Sequence, residues 1–170
     1  MKIRIIAIGR IKEKYLKEGI EEYLTRIRPY SQIEIVEVND EPVVDNPNES
    51  EIQKAINKEG ERVLKILKPS DYLIGLDLNK KELDSVEFAS FLEKKFVLGG
   101  SNISFVIGGS YGLSDELKKR CNDSISLSKM TFLHQMTRLI LLEQIYRAFK
   151  ISKNETYHKW TIKNLNNLKT

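Results

Sequence analysis

Phe105-Val106-Ile107-Gly108-Gly109-Ser110-Tyr111-Gly112-Leu113 is the stretch on which the reading of the fold turns. It starts as a short apolar strand and breaks into a turn with three glycines in five residues. An ordinary tight turn needs one glycine, or two. Glycines in this number allow positive φ and let backbone N–H groups come close to a ligand. A buried strand that runs straight into such a loop is the pattern of a parallel α/β sheet, where ligands bind beyond the carboxyl ends of the strands.

The rest of the chain agrees with that pattern, because strands and helices alternate along it. Strands are expected at Ile3–Ile8, Gln32–Val38, Tyr72–Leu78, Ile103–Ile107 and Ser124–Leu127. Helices are expected over Glu13–Ile27, from Asn48 or Ser50 to about Leu67, from a Ser85 cap through Phe96, from Ser114 to near Cys121, and from His134 to about Phe149. Residues 150–170 read as polar and irregular. No internal repeat or linker divides the chain, so a single α/β domain with a parallel sheet and helices on both faces is predicted. The carboxyl-end rule then selects three places: Gly75-Leu76-Asp77, Gly108–Gly112 and Ser126–Phe132.

The composition excludes several classes of function. The 170 residues are enough for one buried core without disulfides. No apolar run approaches the roughly 18 residues of a membrane span. The apolar start, Met1-Lys2-Ile3-Arg4-Ile5-Ile6, alternates early and has no small-residue cleavage site, so it reads as a strand and not as a signal peptide. Cys121 is alone and the only histidines are His134 and His158, so neither a disulfide framework nor a zinc site is expected. A reducing, cytoplasmic compartment is expected; metal binding through carboxylates alone stays open but has no motif behind it, and none is expected.

Charge is unevenly spread. Eight Lys/Arg face four Glu in residues 1–29, and six Lys/Arg face Glu155 alone in residues 145–170, while residues 37–61 carry eight acids against two Lys. Basic ends suit a polyanion such as RNA, although many soluble domains show the same asymmetry.

The glycine loop is neither of the two common phosphate cradles. A dinucleotide fold needs G-x-G-x-x-G after its first strand, and here Gly9-Arg10-Ile11 stands in that place. G-x-x-x-x-G-K-[ST] is absent. Ser124-Ile125-Ser126-Leu127-Ser128-Lys129-Met130-Thr131-Phe132 mixes hydroxyls with apolar side chains, suiting it to wrap an adenine ring or to cap the helix that follows. In that helix Arg138, Leu139, Leu142, Glu143, Ile145, Tyr146, Arg147 and Phe149 spread apolar character round more of the circumference than one packed face uses. A second copy of the chain is the simplest cover for it.

Four ordered motifs carry a family resemblance: Ile107–Gly112, Leu127–Phe132, Glu143-Gln144-Ile145-Tyr146-Arg147-Ala148 and Tyr157-His158-Lys159. With Ile8-Gly9-Arg10 and Gly75-Leu76-Asp77, they make residues 1–159 resemble the ribosomal RNA large subunit methyltransferase H family of SPOUT methyltransferases. The resemblance implies a SPOUT-type α/β knot with a C-terminal trefoil, a homodimer, and S-adenosylmethionine as methyl donor. The implied reaction is methylation at N3 of a pseudouridine in 23S rRNA on the assembled ribosome. It implies cofactor contacts at Leu76, Gly108, Leu127, Ser128, Lys129, Met130, Thr131 and Phe132, and substrate contacts at Tyr157, His158 and Lys159. His158 becomes the candidate base for the N3 proton and Lys159 or Arg138 the candidate cation; His134 reads as a cap or packing residue.

The chain departs from the family in two ways. Leu133 stands where the family usually has Pro, and residues 160–170 extend past the usual end as a polar tail. A SPOUT enzyme acting on tRNA or another base, and a ribosome-binding module that keeps the fold without turnover, are the competing readings.

Overall fold

The computed structural model describes residues 1–159. The polar extension expected at 160–170 lies outside the described residues. Five strands form one sheet: β1 (Lys2–Ile8), β2 (Gln32–Val38), β3 (Tyr72–Leu76), β4 (Asn102–Ile107) and β5 (Asp123–Ile125). Their order across the sheet is β2-β1-β4-β3-β5, and every neighbouring pair is parallel. Helices α1 (Lys14–Ile27), α2 (Glu49–Ile66), α3 (Ser85–Leu98), α4 (Asp115–Arg120) and α5 (His134–Ser152) fill the connections. The parallel α/β expectation is borne out.

Alternation along the central strands makes two cores. Ile3, Ile5, Ala7, Ile103, Phe105 and Ile107 face the layer of α1, α3 and α5. Ile6, Ile8, Leu73 and Val106 face Val63 of α2 and Leu117 of α4. Side chains of period two on a strand covered on both sides give the near-continuous apolar runs seen in β1 and β4. Edge strand β2 keeps Glu34 and Glu37 exposed.

Several boundaries differ from the sequence reading; β5, expected at Ser124–Leu127, covers Asp123–Ile125, and α3 runs on to Leu98. Strand β3 stops at Leu76 because Asp77 starts a turn, its Oδ1 accepting from the Asn79 N–H at 3.0 Å and its carbonyl from Lys80. The cap of α3 is Asp84 and not Ser85: Asp84 accepts from the Val86 and Glu87 N–H groups while Glu87 accepts from the Asp84 N–H, a capping box. Ser85 instead donates to Gln144 of α5. Helix α5 continues to Ser152, past Phe149.

Helix α5 also changes the argument for a second copy. It packs against both α1 and α3, with Leu141, Leu142, Ile145, Ala148 and Phe149 buried and Leu139 and Tyr146 against the same core. Its wide apolar circumference therefore has two neighbours inside the chain, and by itself it does not require a partner.

Candidate functional site

The glycine turn leaves β4 at the centre of the sheet. A Cβ on Gly108 would lie 2.6 Å from the Gly112 carbonyl carbon and 2.9 Å from its Cα, so this position has room for hydrogen alone. Gly112 has φ +87°, in the left-handed region, and its N–H donates to the Gly109 carbonyl at 3.1 Å. The turn thus closes on itself. Behind it, buried Glu59 of α2 accepts from the Glu41 N–H at 3.0 Å, and burial pushes its carboxyl above the usual range.

The serine-rich segment is held by its own hydroxyls. Ser126 Oγ donates to the Ser128 carbonyl at 2.8 Å, and Ser128 Oγ accepts from the Met130 N–H at 3.0 Å. None of these hydroxyls caps α5. The cap position is Leu133, which makes no side-chain cap bond, so the capping role read for this segment is not the one found.

The turn, the end of β3 and the serine-rich segment meet around one cleft of about 670 Å³. Leu76, Ile107, Leu113, Leu127 and Phe132 give it apolar walls. Asp77 and Lys118 add a charged pair 3.5 Å apart on the wall. His134 and Thr137 from the first turn of α5 complete the lining. The three strand ends selected from the sequence therefore converge, and Leu76, Gly108, Leu127, Ser128, Met130, Thr131 and Phe132 all line the cleft. Lys129 is exposed and stands off the wall. Lys118 and Thr137 escaped the sequence reading because nothing in a short charged helix or a helix flank marks a wall residue. His134 had a signal, since only Leu133 lies between it and Phe132.

Arg138 lies one turn beyond His134 and is fully buried. Its guanidinium donates to Glu37 Oε1 at 2.7 Å and to the Gly9 carbonyl at 2.8 Å, tying α5 to the ends of β1 and β2. It is absent from the cleft lining, and its charge is already partnered.

The tail motif gathers at the other end of α5. Tyr157 donates to Glu143 Oε1 at 3.1 Å, and its hydroxyl lies 3.4 Å from that of Tyr23. The Arg147 guanidinium sits 4.7 Å from the centre of the Tyr157 ring and bonds His158 Nδ1 at 3.1 Å. Burial, then the Tyr23 contact, push the Tyr157 phenol well above its ordinary value. Lys159 is exposed. Thr137 is the last α5 residue on the cleft, and Arg147 lies about 15 Å further along at ~1.5 Å per residue. Within one chain, then, the expected cofactor residues come together while Tyr157, His158 and Lys159 sit apart from them.

Comparison with known proteins fits this arrangement. A family model described as predicted SPOUT methyltransferase matches residues 1–158. The ribosomal RNA large subunit methyltransferase H of Carboxydothermus hydrogenoformans is 52% identical over 159 residues, covering 94% of this chain and all of that protein. The proteins of the same name from Acetivibrio thermocellus and Symbiobacterium thermophilum are 52% and 47% identical, with the same coverage. With its glycine-turn cleft, its tail motif and these matches along nearly its whole length, the chain belongs to the ribosomal RNA large subunit methyltransferase H family of SPOUT methyltransferases.

Proposed function

We propose that this chain transfers a methyl group from S-adenosylmethionine to N3 of a pseudouridine in 23S rRNA, on the assembled ribosome, as a cytoplasmic homodimer without a metal. The cleft carries the reading. Its volume of about 670 Å³ falls inside the roughly 300–1,000 Å³ usual for small-molecule sites. It joins apolar walls, fit for an adenine, to a few placed polar groups, and the family's cofactor positions line it. The residues present therefore fit the donor. Leu76, Leu127 and Phe132 would hold the ring, Gly108 and its turn would supply close backbone, and Ser128, Met130 and Thr131 would close the loop, with Lys129 at its rim.

The bound donor supplies a methyl sulfonium, a strong electrophile that needs no metal. The protein's task is then alignment and charge handling. Removing the N3 proton builds negative charge on the base, so a nearby cation stabilises the transition state. Lys159 is the proposed cation, and Tyr157 and His158 are proposed to hold the base beside it. Arg138 supports the site from below, by fixing the end of β1 and the start of α5.

The separation of tail from cleft supports a homodimer in which the tail of one copy serves the cleft of the other. Met130 and Leu133 on the cleft lining are exposed, as is Met136 in the first turn of α5, and they offer apolar surface for that contact. The trefoil knot is proposed on the chain's path. Strand β5 ends at the sheet edge, yet the next element, α5, returns to pack between α1 and α3.

The test is transfer of labelled methyl groups to intact ribosomes, free 23S rRNA and tRNA from cells lacking the protein. Label should enter 23S rRNA and do so best in ribosomes, with mass spectrometry locating it on one pseudouridine. Label mainly in tRNA would overturn the substrate. Donor binding without transfer to any RNA would favour the ribosome-binding module.

A further inference from the structure

Methylation at N3 releases one proton, and the two histidines of the chain are placed very differently to receive it. His158 Nδ1 is bonded to the Arg147 guanidinium at 3.1 Å. A guanidinium only donates, so this nitrogen is the acceptor and the hydrogen of the neutral ring sits on Nε2. The free edge of His158 therefore offers an N–H donor. It suits a carbonyl oxygen of the target base and not the N3 proton.

His134 has the opposite situation. It lines the cleft directly after the loop proposed to hold the donor. Neither of its ring nitrogens has a hydrogen-bond partner among the described residues. A Cβ on Gly9, whose φ is +93°, would lie 3.6 Å from His134 Nε2, so the glycine leaves space beside the ring. Arg138 and Asp40 border the same spot, each 4.0 Å from that Cβ position. Burial and then the Arg138 charge pull its pKa below 6.5, against the opposing pull of Asp40 and Glu13. A histidine so placed is neutral near pH 7 and has a lone pair to offer.

We infer that His134 accepts the N3 proton, while His158 donates a hydrogen bond to the base and Lys159 steadies its charge. This assignment rests on the methyltransferase reading above. The balance is simple. The N3–H bond breaks and its proton passes to an imidazole nitrogen; the N3 electron pair forms the new N–C bond. The C–S bond of the donor breaks with its pair going to sulfur, which loses its positive charge. The imidazolium then releases the proton to solvent.

The test compares wild type with His134→Gln, His134→Gly and His158→Gln, using ribosomes as substrate across pH 5.5–9.5. Wild-type single-turnover rates should rise through a pKa below 6.5 and then level off. His134→Gln should lose about 100-fold near pH 7. That defect should shrink with rising pH as N3 ionises unaided, and added imidazole should partly restore His134→Gly. His158→Gln should keep the shape of the wild-type profile at a lower rate. Two further readouts do not depend on turnover. Calorimetry should give S-adenosylhomocysteine the same affinity for wild type and His134→Gln. NMR titration should show two histidine signals, the one missing from His134→Gln titrating below 6.5. A pH-independent defect in His134→Gln, or a matching loss of cofactor affinity, would overturn the inference. Absence of methyl transfer by the wild type would instead sink the underlying reading.

Discussion

The two ends of α5 are built from different materials. At its N-terminal end lie the glycine turn, the serine-rich loop and a fully buried arginine spending its hydrogen bonds on Gly9 and Glu37. At its C-terminal end Tyr23, Tyr30, Tyr146 and Tyr157 meet tilted or edge-on among Arg26, Arg147 and Lys150, with Glu143 and Glu155 between them. The first end is a finished cavity made from five segments of one chain. The second is an aromatic and charged cluster; among the described residues Tyr30 borders a pocket with Met1 and Arg28, but Tyr157, His158 and Lys159 line neither that pocket nor the cleft. The distance of Tyr157, His158 and Lys159 from the cleft within one chain is what the proposed dimer accounts for, with the tail of one copy serving the cleft of the other.

Substitutions can break this contrast. The largest effect is expected for Gly108→Val, because the added carbons meet the Gly112 backbone. Displacing a close-packed turn costs up to about 3 kcal/mol, or ~100-fold in donor affinity by calorimetry. The tyrosine cluster should be untouched, and near-UV circular dichroism checks that. Undiminished donor binding would mean that the cleft is not the donor's site.

A smaller effect is expected for Arg138→Met. Removing charge-assisted hydrogen bonds from a fully buried group should lower stability by about 2–3 kcal/mol in urea. The loss stays below the full cost of a broken buried pair because the Glu37 side chain is 39% exposed and can turn to water. At the tail end the comparable change, Glu143→Gln, should cost under ~1 kcal/mol, since both partners are partly solvated. Equal costs would erase the distinction between a fully buried strut and a part-buried cluster.

The smallest effect belongs to Glu59→Gln, behind the glycine turn. Burial raises the folded-state pKa of Glu59. Such a group adds stability below the unfolded pKa, near 4.3, and that stability is lost as pH rises through the folded value. At pH 7 the wild type thus holds a disfavoured charge. Glu59→Gln, which keeps an acceptor for the Glu41 N–H, should raise stability at pH 7 by under ~1 kcal/mol, read as a slightly higher melting temperature, and lose that advantage near pH 4. Destabilisation at pH 7 would mean that the turn needs the charge.

Much of the fold was legible because its signals are local. Apolar runs marked β1 and β4, and Asn48 or Ser50 marked the start of α2, where the Glu51 capping box settles on Asn48. Asp84 was harder to choose, since Ser85 beside it is as good a cap by type, and only the reach of Glu87 decides between them. The wall formed by the glycine turn, Leu76 and Leu127–Phe132 followed from the rule that ligands sit beyond strand ends. Positions set by tertiary contact were not legible. Nothing near Arg138 in the chain shows that Glu37 and the Gly9 carbonyl consume its charge. Nor does the Tyr157-His158-Lys159 motif reveal that Arg147 fixes its tautomer.

The most direct test of the account is complementation between two defective chains. Gly108→Val has a ruined cleft and an intact tail; Tyr157→Ala/His158→Ala has the reverse, and each alone should be inactive on ribosomes. Mixed and refolded together in equal amounts, they should recover roughly a quarter of wild-type methyl transfer, because half the dimers are mixed and each mixed dimer holds one sound site. No recovery, with mixed dimers confirmed by native mass spectrometry, would show that cleft and tail must lie in the same chain and would contradict the account.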